Sequence, residues 1–223
     1  MENELWTAVD QYFNDLLVPP DSALDEALRA CTAAEMPAIS VTPNMGKLLM
    51  LLAQAHGARN ILEIGTLGGY STIWLARALP KGGRLITLEA EQKHADIARA
   101  NIARAGLADV VEVIVGNALD TLPRLAAKGA GPFDLIFIDA DKPSNPDYFA
   151  WSLKLSRRGS LIIIDNVVRD GAVIDAADGD PSVQGVRRMN ELIAAERRVS
   201  ATAIQTVGSK GYDGFAVVLV TGD

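Results

Sequence analysis

The segment Asn60-Ile-Leu-Glu-Ile-Gly-Thr-Leu-Gly-Gly-Tyr-Ser71 constrains this chain more than any other, because it reads as a buried strand running into a glycine turn and then a helix. Gly65, Gly68 and Gly69 let the backbone turn sharply and approach a ligand without Cβ clashes, and Ser71 is placed to cap a helix beginning near Thr72. The spacing departs from the dinucleotide fingerprint G-x-G-x-x-G. Leu67 occupies its second glycine position, and the carboxylate Glu63 stands just before the first. A pyrophosphate disfavours such a neighbour, whereas a phosphate-free cofactor with a positive centre, such as S-adenosylmethionine (SAM), tolerates it. An ordinary strand-to-helix turn, with glycines for packing alone, fits the same residues.

Periodicity places this turn in a larger alternation. Strand patterns occur at 60–64, 84–88, 110–115, 133–138 and 160–164, with helical patterns at 72–79, 91–105, 118–127 and 146–155 between them. Strand and helix in alternation imply a parallel sheet covered on both faces. Two helices at 4–17 and 22–34, separated by Pro19-Pro20, precede the alternation, and Thr42-Pro43 opens a third that Gly57 ends after His56. At the other end, after a helix near 183–196, the runs 199–207 and 212–220 are joined by Gly208-Ser-Lys-Gly211, a hairpin signal. The expected fold is therefore α/β, with a mostly parallel Rossmann-like sheet that finishes in an antiparallel strand. We expect one domain over 1–223, with N-terminal helices (1–57) packed on a sheet core (58–223). A six-strand dinucleotide fold does not normally end in this way, whereas the seven-stranded SAM-methyltransferase sheet does.

Composition narrows the partners. The acidic balance, 28 Asp and Glu against 21 Lys and Arg for a net charge of −7, and the scattering of the basic residues argue against a nucleic-acid partner. Apolar runs such as 48–53 and 161–164 are too short to span a bilayer, and no leader pattern is visible, so we expect no membrane partner and a cytoplasmic location. The single cysteine, Cys31, cannot form an intrachain disulfide and suits a reducing compartment. Its apolar helical surroundings favour packing over nucleophilic chemistry.

In open α/β sheets ligands bind beyond the carboxyl ends of the strands. Five strands deliver acidic or amide residues there: Glu63, Glu89, Asn117, Asp139, and Asp165 with Asn166. Each alone fits a helix cap, but together they form an oxygen-rich rim without histidine or cysteine. Glu89 lies about twenty residues beyond the turn, where an acidic residue reaches ribose hydroxyls, though it also fits a cap for the following helix. Asp139, Asp165 and Asn166 offer two carboxylates and an amide oxygen, a set suited to a hard divalent cation such as Mg²⁺. His56 near a helix end and His94 on a face that reads as solvated do not compete, which disfavours zinc. Lys142, three residues after Asp139, is either a general base beside that cation or simply the ion-pair partner of Asp139 or Asp141.

With these residues in view, the chain resembles the cation-dependent O-methyltransferases of the caffeoyl-CoA and catechol type, particularly their small bacterial members. The resemblance covers nearly the whole chain and rests on Leu62-Glu-Ile-Gly-Thr-Leu-Gly-Gly-Tyr-Ser71, Phe137-Ile-Asp-Ala-Asp-Lys142 and Ile164-Asp-Asn-Val167. It implies that Val41, Glu63, Gly65, Thr66 and Ser71 line a SAM site, joined by Glu89, Asn117, Ala118 and Asp139. It further implies that Asp139, Asp165 and Asn166 ligate the cation, with Mg²⁺ expected and Ca²⁺ or Mn²⁺ alternatives. Lys142 then takes the proton from the attacking hydroxyl, with Asp139 beside it, and Asp141 contacts substrate. The implied acceptor is a small aromatic vicinal diol of catechol, hydroxycinnamoyl or flavonoid type, and the implied assembly a homodimer.

Three positions depart from the family pattern. Asn117 stands where aspartate is common and Val41 where threonine is, both at SAM contacts. Asn145 replaces a frequent tyrosine, which is expected to alter the acceptor pocket. The stretch 168–181 reads as a long loop beside the metal residues, and Trp6, Tyr12 and Phe13 mark the first helices as a lid, a dimer contact or ordinary core. Two competing readings are an NAD-linked oxidoreductase, opposed by the broken fingerprint and the terminal hairpin, and a catalytically idle SAM-binding module, which has no need of metal and base residues.

Overall fold

A computed structural model describes residues 2–222. Three helices, α1 (Glu2–Leu17), α2 (Ser22–Ala33) and α3 (Pro43–His56), precede the alternation. The alternation runs β1 (Asn60–Ile64), α4 (Tyr70–Arg77), β2 (Arg84–Glu89), α5 (Gln92–Arg104), β3 (Val111–Val115) and α6 (Ala118–Ala127). It continues through β4 (Leu135–Ile138), α7 (Asn145–Lys154), β5 (Leu161–Asp165) and α8 (Pro181–Ala195) to the hairpin β6 (Val199–Gly208) and β7 (Gly211–Val220). The helix boundaries follow local chemistry. Thr42 accepts the Met45 N–H through its hydroxyl (3.2 Å), Pro43 fills the first turn of α3, and Gly57 ends it in the left-handed region at φ +69°.

The seven strands lie in the order β3-β2-β1-β4-β5-β7-β6. The first five are parallel, and β7 runs antiparallel to both β5 and β6. The terminal hairpin therefore inserts its last strand against β5, leaving β6 at the edge, and Gly208 pairs with Gly211 across a two-residue turn.

The central strands are apolar throughout because both of their faces are covered, and their period of two sorts side chains between two layers. Leu62, Ile64, Ile136, Ile138, Ile162 and Ile164 pack with Leu122 of α6, Phe149 of α7 and Met189 of α8. Ile61, Leu85, Leu135, Phe137 and Ile163 pack on the other side with Leu24 of α2, Leu49 of α3, Ile73 of α4 and Ile102 of α5. Among the described residues no helix is long and apolar enough to cross a membrane.

Three sequence expectations need correction. The helix after the glycine turn begins at Tyr70 with Gly69 (φ +83°) as its cap, so Ser71 is not the cap and its hydroxyl is used elsewhere. The stretch expected as loop carries 3-10 turns over Arg169–Ile174, broken at Asp170 and Gly171. The aromatics of α1 are not core: Tyr12 is 61 % and Phe13 44 % exposed, and Leu5, Leu16 and Leu17 are exposed beside them.

Candidate active site

The glycine turn after β1 forms one wall of a cleft of about 560 Å³, within the size range of small-molecule sites. Gly65 (φ +99°) passes so close to β4 that a Cβ there would overlap the Asp139 carbonyl, and a side chain at Gly68 would overlap the Cys31 sulfur. The buried Cys31 is thus a prop beneath the turn, its thiol pKa raised by burial. No L-residue with a side chain fits the backbone approach at Gly65.

Behind this wall lies a buried polar network. Glu63 accepts hydrogen bonds from the hydroxyls of Ser71 (2.6 Å), Thr72 and Thr87 (2.6 Å), while Thr66 and Thr87 share a hydroxyl contact. Burial pushes the Glu63 carboxyl up to about 7; the three hydroxyls pull it down, and the Asp139 charge adds to the rise. The expectation that Glu63 lines the cofactor space is therefore corrected: it is fully buried and does not line the cleft. Its part is to hold β1, β2 and the first turn of α4 in register.

The remaining rim residues reach the cleft. Gly65, Thr66, Ser71, Glu89, Asn117 and Ala118 line it from the turn, the start of α4 and the ends of β2 and β3, and Val41 from the segment before α3. Glu89 accepts the Leu67 N–H (2.7 Å) on one oxygen and the Glu91 N–H (3.0 Å) on the other, so it clamps the glycine turn to β2 while facing the cleft. Asn117 accepts the Leu119 N–H (2.8 Å) and caps α6, which accounts for an amide at this position without reference to a ligand. His94, expected on a solvated face, instead lines the cleft with Nδ1 3.6 Å from Glu89.

Asp139, Asp141, Lys142 and Asn166 line the far side of the same cleft. Lys142 is buried and its ammonium donates to Asp139 (2.8 Å), while Tyr148 donates its hydroxyl to Asp141. Asp165 falls just through the wall, in a second cavity of about 250 Å³ that shares Asn166 with the first. Burial, and then the nearby Asp139 charge, push the Asp165 carboxyl up to about 7, against the opposing pull of Lys142 and of the Asn166 N–H at 2.9 Å. Among the described residues no group of three or more His, Cys, Asp or Glu side chains is arranged to hold a metal ion; the expected set comprises two carboxylates and an amide.

Asn145 does not alter the acceptor pocket as expected. It is fully buried with both amide atoms unpaired and lines neither cavity. Tyr148, one helical turn later, brings a phenol to the cleft instead, a contribution legible only once α7 is known to start at Asn145. Sequence reasoning also missed Ser182, on the first turn of α8, and Lys210, which reaches the smaller cavity from the hairpin turn and donates to the Ser40 carbonyl.

A profile of the O-methyltransferase family matches residues 18–218. A catechol O-methyltransferase of Niastella koreensis is 56% identical over 220 residues, spanning 99% of this chain and 100% of that protein. The solved structure of an O-methyltransferase from Bacillus cereus in complex with S-adenosylhomocysteine (SAH) has a TM-score of 0.97 at 64% identity, covering 98% of this chain and 100% of that one. The O-methyltransferase TomG from Streptomyces achromogenes, in complex with SAM, also has a TM-score of 0.97, at 55% identity and full coverage of both chains. Likeness at this level to enzymes holding SAM or its product leaves no support for the nicotinamide alternative or for an idle module. The sheet that ends in a reversed strand, the cleft against its glycine turn and these relatives agree, and the chain belongs to the O-methyltransferase family as a SAM-dependent enzyme.

Proposed function

We propose that the enzyme methylates a hydroxyl of a small aromatic vicinal diol, of catechol, hydroxycinnamoyl or flavonoid type, with a divalent cation held by Asp139, Asp165 and Asn166. The observation that carries this reading is the placing of Asp139 and Asp165 directly after Ile138 and Ile164, which are partners in the paired strands β4 and β5, with Asn166 lining both cavities beside them; the Asp139 charge adds to the upward push that burial gives the Asp165 carboxyl. A half-buried carboxylate with a single backbone donor fits a hard cation, and the donor set, all oxygen, fits Mg²⁺ before zinc. A cation bound there would acidify a chelated hydroxyl by Lewis-acid polarisation.

The chain's own residues supply the remaining chemistry. Gly65, Thr66, Ser71, Val41 and Ala118 shape the cofactor side of the cleft, with Glu89 at the ribose. Lys142 is the proton acceptor: its Nζ is buried at the cleft wall, and the ammonium that pairs with Asp139 has to release a proton to solvent before the neutral amine can take one from a hydroxyl. Asp141, fixed by the Tyr148 hydroxyl, faces the acceptor. Orientation of the hydroxyl toward the sulfonium methyl group is then a matter of positioning, and no covalent enzyme intermediate is required.

We also propose that two copies pair through the apolar face of α1, where Leu5, Tyr12, Phe13 and Leu16 are exposed. Disruption of that face by Leu5→Asp should convert a dimer to a monomer in sedimentation measurements. A reducing, cytoplasmic compartment suits the lone buried thiol.

The direct test is to strip the protein of metal, add SAM and a panel of catechols, and follow SAH release with and without Mg²⁺. Turnover restored by Mg²⁺ on vicinal diols alone supports the proposal. Equal turnover after chelation, or on monophenols, overturns the cation role or the substrate class respectively.

A further inference from the structure

Arg169 is the one arginine among the residues lining the larger cleft, and it lies on the acceptor side with Asp141, Lys142, Tyr148 and Asn166. The other charged groups of that wall are engaged: Lys142 with Asp139, and Asp141 with the Tyr148 hydroxyl. Arg169 is not. Among the described residues its Nε is buried without a hydrogen-bond partner, and its one ion-pair contact, Nη1 to Asp213 Oδ2, is 3.9 Å long. That distance lies outside hydrogen-bonding range. Asp213 is held in that position by its other oxygen, Oδ1, which accepts the backbone N–H groups of Val168 (3.0 Å), Arg169 (3.1 Å) and Gly214 (2.9 Å), so Oδ2 stays at that distance from the guanidinium.

The backbone is bent to place this side chain. Asn166, Arg169 and Asp170 all adopt left-handed φ values (+59°, +57° and +54°), which non-glycine residues seldom take, and the Asp213 carboxylate pins the N–H groups at 168 and 169. A guanidinium held at a cleft wall with unfilled donors matches a planar, two-oxygen anion, which it can bind through two parallel N–H bonds. A neutral diol would leave those donors empty.

We propose that Arg169 recognises a carboxylate, and that the acceptors this enzyme prefers are catechols bearing one on the ring or its side chain. The inference rests on the diol reading above for the acceptor and adds the anionic substituent. The same chemistry could come from the methionine carboxylate of the cofactor, so the experiment has an arm for each source. With SAH and Mg²⁺ present, the affinities of 3,4-dihydroxybenzoate, benzoate and catechol are measured by calorimetry on the whole enzyme, for wild type, Arg169→Gln and Arg169→Lys. SAH affinity is measured separately on each.

Wild type should bind 3,4-dihydroxybenzoate at least about tenfold more tightly than catechol, the scale of one charge-assisted hydrogen bond. Arg169→Gln should abolish that preference with SAH affinity unchanged. Arg169→Lys, which keeps the charge and loses the fork, should retain part of it. Equal binding of the two catechols by wild type overturns the proposal. So does a variant that binds SAH more weakly while keeping the acceptor preference, because Arg169 would then hold the cofactor. If instead benzoate binds as well as its dihydroxy counterpart, and both depend on Arg169, the carboxylate site stands and the diol reading fails.

Discussion

The two sides of the cleft are built on opposite plans. On the cofactor side, around β1 and β2, polar groups are satisfied by one another: Glu63 takes three hydroxyls, Glu89 takes two backbone N–H groups, and Asn117 caps α6. On the proposed acceptor side, beyond β4 and β5, the Asp139 charge bears on Asp165, Arg169 has an unfilled donor, and three non-glycine residues between 166 and 170 are left-handed, against Leu67 alone in the glycine turn. A satisfied network is rigid before any ligand arrives, whereas under-paired charges and strained backbone persist only where the surroundings hold them and where a ligand can complete them. The difference teaches that the cofactor half is preformed and the acceptor half awaits its charges.

The sharpest way to break this comparison is Asp165→Ala. It should lower turnover by about a thousandfold or more while SAH affinity is kept, because only the acceptor half is touched. Rapid-quench turnover and SAH titration on the same preparation decide it, and a parallel loss of SAH binding would mean that the halves are not separable.

Next in size is a pH effect that draws on Glu63 in the cofactor half. Glu63 is at about 7 in the folded protein against 4.5 for an unperturbed carboxyl, so the folded state keeps a proton that the unfolded chain releases. The contribution of Glu63 to stability is accordingly full below about pH 4.5, declines as pH rises toward 7, and is lost above; the gap corresponds to about 3 kcal/mol. Asp165 contributes with the same sign. Glu63→Gln should remove its share of the slope, read from urea unfolding at a series of pH values. An unchanged slope would place the titration elsewhere.

Lys142→Ala should lower kcat by about a hundredfold with little change in the KM for the acceptor, as the loss of a proton acceptor requires. Full activity would leave Lys142 as no more than the partner of Asp139. The smallest effect is Tyr148→Phe, which removes the hydroxyl donated to Asp141. It should cost about 1.5 kcal/mol of stability and loosen acceptor binding while sparing SAH.

Much of the architecture was legible because it depends on local periodicity and punctuation. The runs of β4 and β5, the Thr42-Pro43 start and Gly57 end of α3, and the Gly208–Gly211 hairpin all announce themselves in neighbouring residues. Most of the expected cofactor rim also reaches the cleft, since strand ends converge by topology. What escaped was side-chain direction. Nothing local in the sequence says that Glu63 turns inward to Thr87, a partner 24 residues away, or that Ser71 bonds it rather than capping a helix. The exchange of Asn145 for Tyr148 at the cleft needed the phase of α7, and Arg169 needed the left-handed turn set by Asp213 from the far end of the chain.

Asp10 on α1 accepts the Ser209 N–H (2.8 Å), a clasp between residues 199 positions apart. Every residue lining the larger cleft lies between 37 and 182, whereas the smaller cavity needs Asp10 together with residues as late as Phe215. During synthesis the lining of the first is complete in the growing chain some thirty residues before that of the second, about two to seven seconds at ordinary elongation rates. A ribosome stalled between those points would carry a protein with every lining residue of its larger cleft and a smaller cavity still missing a wall.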